Sequence, residues 1–431
     1  RLTTKEHILT FSVHHTVSDE RIKVLLLTEL GRLWEPYTKG RPSESEELSI
    51  QYVDYAAWQR NRLSGQIWES EIGYWKKRLA GIPPVLELPT DRPRPAVMTY
   101  HGRVEQFEFS AQLTSALDAL SHQEEISLFI VLLAAFQVLL MRWSGQDDIC
   151  VGSPVNGRNR EEFEGLIGYF VNTLVLRANF SDNPVFDTFL KRVRNITLDA
   201  YTHQDLPFEK LIEEIQPERS LSHTPLFQVK FVLDKVEEET INLSKLTLKP
   251  IGVEVEAAEY DLTLTLKKSR GTLYGSLEYN SDLFDKSTIK RLVGKFERLL
   301  EGIITNPNER VWTLPILSEE GESQLLVEWN DTETKYSTSK YIHELFKEQA
   351  ERTPDAVALV YEDTQLTYHE LNKRANRLAH HLRSLGVGPD TLVGICVNRS
   401  MEMEIGLLGI EKVNGCYVPL DPSYPRERVE F

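Results

Sequence analysis

Apolar and polar residues alternate near the start of the chain. Leu9, Phe11 and Val13 are each separated by one polar residue, which is the period-two pattern of a half-buried β-strand. Continued through the next two positions, the alternation puts His15 on the apolar side of the strand and His14 on the opposite side. We therefore expect His15 to face inward.

A helix is predicted directly after this strand. Apolar residues recur at helical spacing from Ile22 to Leu33, and Ser18 or Asp19 can serve as the N-cap. His15 would then lie beside the positive end of a helix. Such a position suits acid–base or electrostatic work on a substrate, although a capped strand end or a chance metal site would show the same two histidines.

From residue 52 to residue 303, helical and strand-like patterns alternate without an internal repeat, which predicts a mixed α/β fold. A proline-rich stretch, 86–95, is typical of an extended crossover. The predicted helices are 52–79 with a break at 64–65, 113–120, 128–141, 186–201, one beginning at Pro207, and 286–303. The predicted strands are 104–109, 149–151, 227–232, 261–266 and 273–279.

The composition changes at 304–338, where Asn, Glu, Thr and Ser predominate, and we predict an interdomain linker there. A second alternating unit follows over 339–431. Its predicted helices are 342–351, 368–385 and one ending at 412, and its predicted strands are 356–361, 392–397 and 417–420. About ninety residues are fewer than most complete α/β domains contain, so we expect this unit to be the start of a domain in a longer protein.

Charge and composition narrow the classes of function. The 431 residues carry 65 acidic and 49 basic side chains, a formal net charge of −16, which argues against a nucleic-acid-binding protein because such a protein needs a basic face. The three cysteines show no metal-ligand spacing, and we expect a reduced, cytoplasmic setting. The most apolar run, 128–141, contains Gln137 and is too short to span a bilayer, so we predict a buried helix and no membrane span.

Five ordered stretches resemble the core motifs of the condensation domains of nonribosomal peptide synthetases. His14, His15 and Asp19 match the His-His-x-x-x-Asp-Gly signature of that family. The other stretches are 52–58, 167–177, 203–209 and, less completely, one made of Arg219, Ser222, Pro225 and Leu226. Because the five occur in order, the series is far more specific than any one motif.

The second unit resembles the beginning of an adenylation domain. Residues 366–371 match its first motif and residues 412–421 its second, from which Asn414 and Cys416 depart. The chain contains neither a Gly-rich Ser/Thr phosphate loop nor a P-loop motif, and the resemblance puts the ATP and amino-acid sites after residue 431. We therefore expect no ATP binding by this chain.

The resemblance implies an α/β fold like that of chloramphenicol acetyltransferase, with two lobes in a V and the active site in a tunnel between them. Residues 1–303 would form a partial condensation domain, in which 1–98 are the end of the N-terminal lobe and 99–303 the C-terminal lobe. Residues 304–338 would be the linker, and 339–431 the N-terminal part of an adenylate-forming α/β domain. We expect most of the N-terminal lobe to be missing from the chain.

The implied reaction joins an acyl or peptidyl thioester on one carrier protein to the amine of an aminoacyl thioester on another, in the biosynthesis of a peptide secondary metabolite. Imidazole suits this step because its unperturbed pKa of about 6.5 leaves it able to accept the proton of the amine. His15 is the expected catalytic residue, either as general base or as the group that orients the amine. His14 and Asp19 complete the predicted catalytic signature.

Supporting roles follow from the same resemblance. Asp19 would form a buried ion pair with an arginine of the other lobe, with Arg158 as the candidate partner, and capping the helix is a compatible role for Asp19. Asn172 and Thr173 either line the substrate tunnel or serve in sheet packing. Glu20 stands where the family has Gly, and it would strain the loop if that position needed φ > 0 but would suit the first turn of a helix.

The expected partners are donor and acceptor peptidyl carrier proteins and the neighbouring synthetase domains in the same chain. Their phosphopantetheine arms would arrive with the substrates, so we expect no bound cofactor and no metal. Three other functions stay open at this point: a non-catalytic docking module for carrier proteins, an epimerase, which shares the His-His-x-x-x-Asp core, and ester formation with a hydroxyl acceptor.

Overall fold

The computed structural model describes residues 2–3, 6–19, 21–41, 48–218, 220–234, 241–243, 246–248, 251, 257–334, 340–425 and 427. The chain divides into two compact units, Arg1–Asn330 and Asp331–Phe431. Each unit combines helices with strands, as the sequence predicts.

The first unit contains nine α-helices and eight strands among its described residues. The helices are α1 (Arg21–Thr38), α2 (Tyr52–Arg62), α3 (Gly65–Leu79), α4 (Ala111–Gln123), α5 (Leu128–Ser144), α6 (Phe186–Thr202), α7 (Phe208–Ile215), α8 (Lys286–Thr305) and α9 (Glu319–Leu326). The strands are β1 (Gly102–Glu108), β2 (Asp148–Asn156), β3 (Val171–Asn179), β4 (Val229–Asp234), β5 (Ile241–Leu243), β6 (Leu246–Leu248), β7 (Leu262–Ser269) and β8 (Thr272–Asn280). Short 3-10 helices lie at His15–Val17, Glu161–Phe163 and Glu328–Asn330.

Six of these strands form one sheet in the order β1–β8–β7–β4–β2–β3. Neighbours run antiparallel except at β7–β4 and β4–β2, which are parallel. The seam between β2 and β4 has a single ladder pair, Gly152 with Lys230. Two side chains bridge this seam: Ser153 Oγ donates to the carbonyl oxygen of Phe231 at 2.8 Å, and the ring of Phe227 lies where a Cβ atom on Gly152 would come within 2.2 Å of it.

The core of the first unit is built around α5. Every residue from Ile130 to Met141 is buried, because the helix is apolar on all its faces and packs against α4, α6, α8 and β2. Gln137 is the polar residue of this run, and its amide donates to the carbonyl oxygen of Leu176 in β3 at 2.9 Å. The prediction of a buried helix over 128–141 is confirmed.

None of the described helices is by itself long and apolar enough to cross a membrane. Only α4 and α5 taken together reach the required length and hydropathy, and this pair is bent by 109°.

Most predicted elements of the first unit are present within a few residues of their expected ends. The predicted break at 64–65 is confirmed: α2 ends at Arg62 and α3 begins at Gly65. Gly65 has a φ of +57°, which lies in the left-handed region that favours glycine. The proline-rich stretch 86–95 has no regular secondary structure, as expected for a crossover.

The strand predicted near the N-terminus is absent. Residues 6–14 have neither helix nor strand structure, and Leu9, Phe11 and Val13 are 56%, 53% and 45% exposed. The alternation of apolar and polar residues gives side chains that suit a half-buried strand. A strand also needs a neighbouring strand whose backbone completes its hydrogen bonds. No segment in the described part of the chain pairs with this one, and the prediction is wrong for this structure.

The predicted linker, 304–338, begins too early. Val311 and Leu314 are fully buried in the core of the first unit. The N–H of Val311 donates to the carbonyl oxygen of Pro184 at 3.0 Å, and Arg142 donates to that of Leu314 at 2.9 Å. The surrounding sequence is polar, so its pattern did not reveal that these two apolar residues belong to the core of the first unit.

Residues 1–98 and 99–303 are expected as parts of two lobes, but the last part of the first segment, from Ile72 to Leu88, contributes to the main hydrophobic core of the second. Ile72, Trp75 and Leu79 on one face of α3 belong to the same buried cluster as α5 and the six-stranded sheet. Helix α3, which precedes the crossover, therefore packs against the same core as α5 and the six-stranded sheet.

The second unit contains three helices and two pairs of strands among its described residues. These are α10 (Ile342–Arg352), α11 (Tyr368–Ser384) and α12 (Met401–Glu411), the antiparallel pair β9 (Val357–Tyr361) and β10 (Thr364–Thr367), and the parallel pair β11 (Leu392–Ile395) and β12 (Cys416–Pro419). The sequence pattern did not predict β10. A small core formed by Leu366, Leu371 and Met401 holds this strand against the helices.

Thiol labelling tests the packing of β2. Cys150 is buried, and burial raises the pKa of its thiol to about 12, whereas Cys396 and Cys416 are exposed. Because the thiolate is the nucleophile, iodoacetamide at about pH 8 should alkylate the two exposed cysteines and leave Cys150 unmodified until guanidinium unfolds the chain. Peptide mass spectrometry gives the occupancy of each site. Native modification of Cys150 at the rate of the other two would contradict this packing.

Candidate active site

The 3-10 turn at His15–Val17 uses the two adjacent histidines differently. Nδ1 of His14 accepts the backbone N–H of Thr16 at 3.2 Å, so this ring caps the turn. Nδ1 of His15 lies 2.8 Å from the carbonyl oxygen of Ser18. A carbonyl oxygen only accepts, so Nδ1 of His15 carries the hydrogen and Nε2 of the neutral ring keeps its lone pair. His15 is therefore held in the tautomer that can take up a proton at Nε2.

The expected facing of the two histidines is wrong for this structure. Both His14 and His15 are exposed and lie at a turn rather than on opposite faces of a strand. Their different hydrogen bonds, rather than strand alternation, distinguish the two rings. The choice of His15 over His14 therefore rests on these hydrogen bonds, because they leave Nε2 as the ring nitrogen of His15 that can accept a proton.

A buried ion pair holds the segment that follows His15. Nη2 of Arg158 lies 3.1 and 3.0 Å from the two carboxylate oxygens of Asp19, and each side chain is 1% exposed. This is the pair that the sequence suggested. Nη1 of Arg158 donates to the carbonyl oxygens of Phe163 and Leu166 at 2.5 and 2.8 Å, so the loop between β2 and β3 wraps around the guanidinium group.

The Asp19 carboxylate also binds two backbone N–H groups. Its Oδ1 accepts the N–H of Arg21 at the start of α1 at 3.1 Å, and its Oδ2 accepts that of Phe170 just before β3 at 3.2 Å. Asp19 thus combines the two compatible roles of helix cap and ion-pair partner. The guanidinium carbon of Arg158 lies 4.0 Å from the centroid of the Phe170 ring, within range of cation–π attraction.

An aromatic face of α2 packs against the same loop. The hydroxyl of Tyr52 donates to the carbonyl oxygen of Tyr169 at 2.8 Å, and its ring lies where a Cβ atom on Gly168 would come within 2.1 Å of it. Any side chain at position 168 would therefore displace Tyr52. Burial raises the pKa of Tyr52 and raises that of Tyr55 to about 12, so both hydroxyls stay protonated at neutral pH.

Tyr169 contacts His15 directly. The two rings meet edge to face, with centroids 5.0 Å apart and planes at 84°. The sequence pattern placed Tyr169 inside the stretch 167–177 but did not single it out. The contact of Tyr169 with His15 is visible only in the three-dimensional structure, because it depends on where Asp19 and Tyr52 hold the backbone around Tyr169.

Asn172 fastens β3 to the beginning of α7. Its Nδ2 donates to the carbonyl oxygens of Gln204 and Leu206, both at 2.7 Å. Its Oδ1 accepts the N–H groups of Thr173 and Phe208, both at 2.9 Å. Every donor and acceptor of the amide is therefore used within the protein. Both roles left open for Asn172 are compatible with this geometry, because its amide is used in packing and the residue also lines the neighbouring cleft, whereas Thr173 lies in the β2–β3 ladder.

The segment before α7 is held by side-chain pairs with α2 and α3. Nδ1 of His203 lies 3.2 Å from a carboxylate oxygen of Glu71, and Asp205 pairs with Arg62 at 3.2 Å. The N-terminus of α7 is capped by Asn172, whose side-chain oxygen accepts the N–H of Phe208, the first residue of that helix.

A cleft of about 180 Å³ lies between α2, the β2–β3 loop and the segment before α7. Its lining includes the aromatic side chains of Tyr52, Tyr55, Trp58, Tyr169 and Phe170. His15 does not line the cleft, although its ring contacts that of Tyr169. The candidate catalytic histidine and the cleft are therefore neighbours that share one aromatic side chain.

Two residues of the predicted motifs, Glu20 and Arg219, lie outside the described residues. Within the described ranges, no group of three or more His, Cys, Asp and Glu side chains is placed to hold a metal ion.

Residues 1–326 match the family model of the condensation domain, and residues 346–431 match that of the AMP-binding enzyme. The chain is similar to one of the proteins that make up linear gramicidin synthase in Brevibacillus parabrevis, with 46% identity over 433 aligned residues. That alignment covers 100% of this chain and 8% of the relative, so the chain spans a small part of the length of the protein that it matches.

Solved structures of nonribosomal peptide synthetase domains are similar to this chain, and two of them serve as examples. One is a four-domain nonribosomal peptide synthetase bound to AMP and glycine, with a TM-score of 0.80, 26% identity and coverage of 97% of this chain and 32% of that one. The other is the X-domain from teicoplanin biosynthesis in complex with OxyB, with a TM-score of 0.65, 28% identity and coverage of 71% of this chain and 69% of that one. The predicted fold class, a partial condensation fold followed by the start of an adenylate-forming domain, is confirmed.

Removing one partner of the buried ion pair should destabilise the chain strongly. In Asp19→Ala or Arg158→Ala the remaining charge is buried without its partner, and we expect the free energy of unfolding to fall by about 3–5 kcal/mol. The free energy of unfolding of the double variant should fall by less than the sum of the two single decreases, because the double variant leaves neither charge unpaired. Urea unfolding followed by circular dichroism measures all three variants.

An exposed ion pair supplies the matched control for this cycle. Asp187→Ala breaks the pair between Asp187 and Lys191 on α6 and should cost at most about 1 kcal/mol, since both side chains are solvated. Additive losses in the Asp19 and Arg158 double variant would contradict the coupling.

Proposed function

Because this chain belongs to the condensation-domain family of nonribosomal peptide synthetases and continues into the AMP-binding enzyme family, we propose that it takes part in amide-bond formation with His15 as its catalytic residue. A carrier-bound acyl or peptidyl thioester would be joined to the amine of a carrier-bound aminoacyl thioester. The observation that carries the proposal is the hydrogen bond from His15 Nδ1 to Ser18, which leaves Nε2 as the proton acceptor.

The chemistry needs a group that removes a proton from the attacking amine. An α-amino group has a pKa of about 7.7–8.0 and is partly protonated at neutral pH. As its nitrogen attacks the thioester carbonyl carbon, Nε2 of His15 takes the proton that the new amide must lose. The carbon–sulfur bond then breaks, and the leaving thiolate receives a proton from the imidazolium. His15 also supplies a fixed hydrogen-bond partner that orients the amine.

The neighbouring residues support His15 through the backbone. The pair of Asp19 and Arg158 fixes the loop after the catalytic turn, because the same carboxylate binds the first turn of α1 and the segment before β3. The side chain of Asn172 accepts the N–H groups of Thr173 in β3 and of Phe208 in α7, which fixes the start of β3. In this proposal His14 caps the turn, and none of these supporting groups touches the reacting atoms.

The proposal includes the partners of the reaction. The similar four-domain synthetase covers nearly the whole of this chain, and condensation domains of such synthetases work with carrier-protein domains. We propose donor and acceptor carrier proteins as partners, with phosphopantetheine arms that arrive as part of the substrates, in the cytoplasm. No resident cofactor is proposed, and ATP would bind in parts of the adenylation domain outside this sequence.

A docking role is the second candidate function. The X-domain that resembles this chain was solved in complex with OxyB, so a protein of this fold binds a partner protein. Glu20, which replaces the Gly of the signature, is the sequence feature that favours docking over catalysis. In that case the chain would receive carrier proteins without forming a bond.

Replacing His15 should abolish most product formation. In the synthetase with a complete condensation domain and loaded donor and acceptor carriers, we expect His15→Ala to lower the rate of amide formation by about 10²–10⁴-fold. His14→Ala is the matched control and should retain most activity, because His14 caps the turn without reaching substrate. Mass spectrometry of the carrier-bound product gives the rates.

Three results of this experiment would overturn the catalytic proposal. Equal rates for His15→Ala and the unsubstituted synthetase would show that the imidazole is not used. Exchange of the α-proton without bond formation would indicate an epimerase. No product from the unsubstituted synthetase, with product restored by Glu20→Gly, would favour the docking function.

The 431-residue chain on its own should show no ATP–pyrophosphate exchange with any of the twenty amino acids. The proposal places the groups that bind ATP and the amino acid outside this sequence. The synthetase with its whole adenylation domain is the positive control in the same assay. Exchange above the enzyme-free background by the purified chain would contradict this assignment.

A further inference from the structure

Tyr169 belongs to both the candidate catalytic turn and the neighbouring cleft. Its ring contacts His15 edge to face at 5.0 Å and also lines the cleft of about 180 Å³, which His15 does not line. We propose that Tyr169 is a positioning residue for His15 and determines which substrate side chains fit beside it. This inference rests on the proposed function of His15.

The backbone around Tyr169 is held from two directions. Its carbonyl oxygen accepts the hydroxyl of Tyr52, whose ring also covers Gly168. On the other side, the N–H of Phe170 donates to the carboxylate of Asp19, which is fixed by its ion pair. The backbone at Tyr169 is therefore fixed by α2 and by Asp19, which sets the position from which its ring reaches His15.

The ring contact supplies a restraint that the hydrogen bond of His15 lacks. The hydrogen bond to Ser18 fixes one nitrogen of the imidazole, while the χ2 torsion of histidine has broad preferences. An edge-to-face neighbour at 5.0 Å limits the rotation of the ring plane. Tyr169 therefore helps to keep Nε2 aimed at one place, which is the requirement for a proton acceptor.

The lining of the cleft indicates the substrate group that it accepts. Tyr52, Tyr55, Trp58 and Phe170 supply aromatic surface. Of the three charged residues at the lining, Arg62 and Asp205 pair with one another, and Glu209 is the third. A volume of about 180 Å³ is smaller than the roughly 300–1,000 Å³ of small-molecule sites and matches a single side chain. The cleft therefore suits an aromatic or large apolar side chain of one of the two reacting aminoacyl groups.

Because the Tyr169 ring is the element shared by His15 and the cleft, its size controls how a substrate side chain can lie when its backbone reaches Nε2. Replacing Tyr169 by a smaller residue would join the cleft to the space beside His15 and admit larger side chains there. Retaining the ring without its hydroxyl would change neither the contact with His15 nor the boundary of the cleft.

The test compares Tyr169→Ala and Tyr169→Phe in the synthetase with loaded carriers. Donors and acceptors carrying tryptophan are compared with those carrying alanine, one side at a time, which tells which aminoacyl group uses the cleft. For Tyr169→Ala we expect kcat to fall by about ten- to a hundredfold and the rate ratio of tryptophan to alanine to rise about tenfold on one side. Tyr169→Phe should keep kcat and the ratio within about twofold of the original.

Phe129→Ala is the matched control for general damage. It removes a half-buried aromatic ring that packs against the main core and does not line the cleft, so any loss of rate should be the same for all substrates. A merely structural role for Tyr169 would give the same uniform loss, and an unchanged ratio in Tyr169→Ala would therefore overturn the inference.

The two proposals fail in different ways. If His15→Ala abolishes product while Tyr169→Ala leaves kcat and the substrate ratio unchanged, the catalytic proposal stands and the role of Tyr169 is wrong. If His15→Ala has no effect on product formation, both are overturned.

Discussion

The buried ion pair between Asp19 and Arg158 is the interaction on which the candidate site depends. Two charges in a dry setting persist only when they are paired with one another, and the further hydrogen bonds that the two side chains make go to backbone atoms of α1 and of the β2–β3 loop. The turn at His15, the start of α1 and the strand β3 that follows the loop are thereby linked to one another. His15 itself is exposed, and its geometry derives from this buried neighbour.

Much of the fold follows from patterns that depend on short stretches of sequence. The apolar run over 128–141 predicts a buried helix, and the helical spacing over 186–201 and 286–303 predicts α6 and α8, because burial of one face is decided by residues close in the chain. The family signature around His15 and the pairing of Asp19 with Arg158 came from resemblance. The structure then supplied the hydrogen bonds that distinguish the roles of His14 and His15.

What the sequence could not provide depends on distant partners. The alternation at Leu9 and Phe11 has the form of a strand, but no described segment offers it a backbone. Val311 lies in a polar stretch, and only the core that it enters shows that it is not part of a linker. Tyr169 has no distinguishing neighbour in sequence, since His15 lies more than a hundred and fifty positions away and the contact exists only in three dimensions.

The seam between β2 and β4 divides the sheet into two parts, the β2–β3 ribbon and the other four strands. Backbone ladders resist the sliding of one strand past another, and this seam has one ladder pair, one serine hydrogen bond and one ring against a glycine. The β2–β3 ribbon, whose connecting loop carries both Arg158 and Tyr169 at one end, is therefore the most weakly held part of the sheet. A small shear of this ribbon would carry Arg158 and Tyr169 together, and with them the His15 turn that the Asp19 ion pair and the Tyr169 ring hold against the loop.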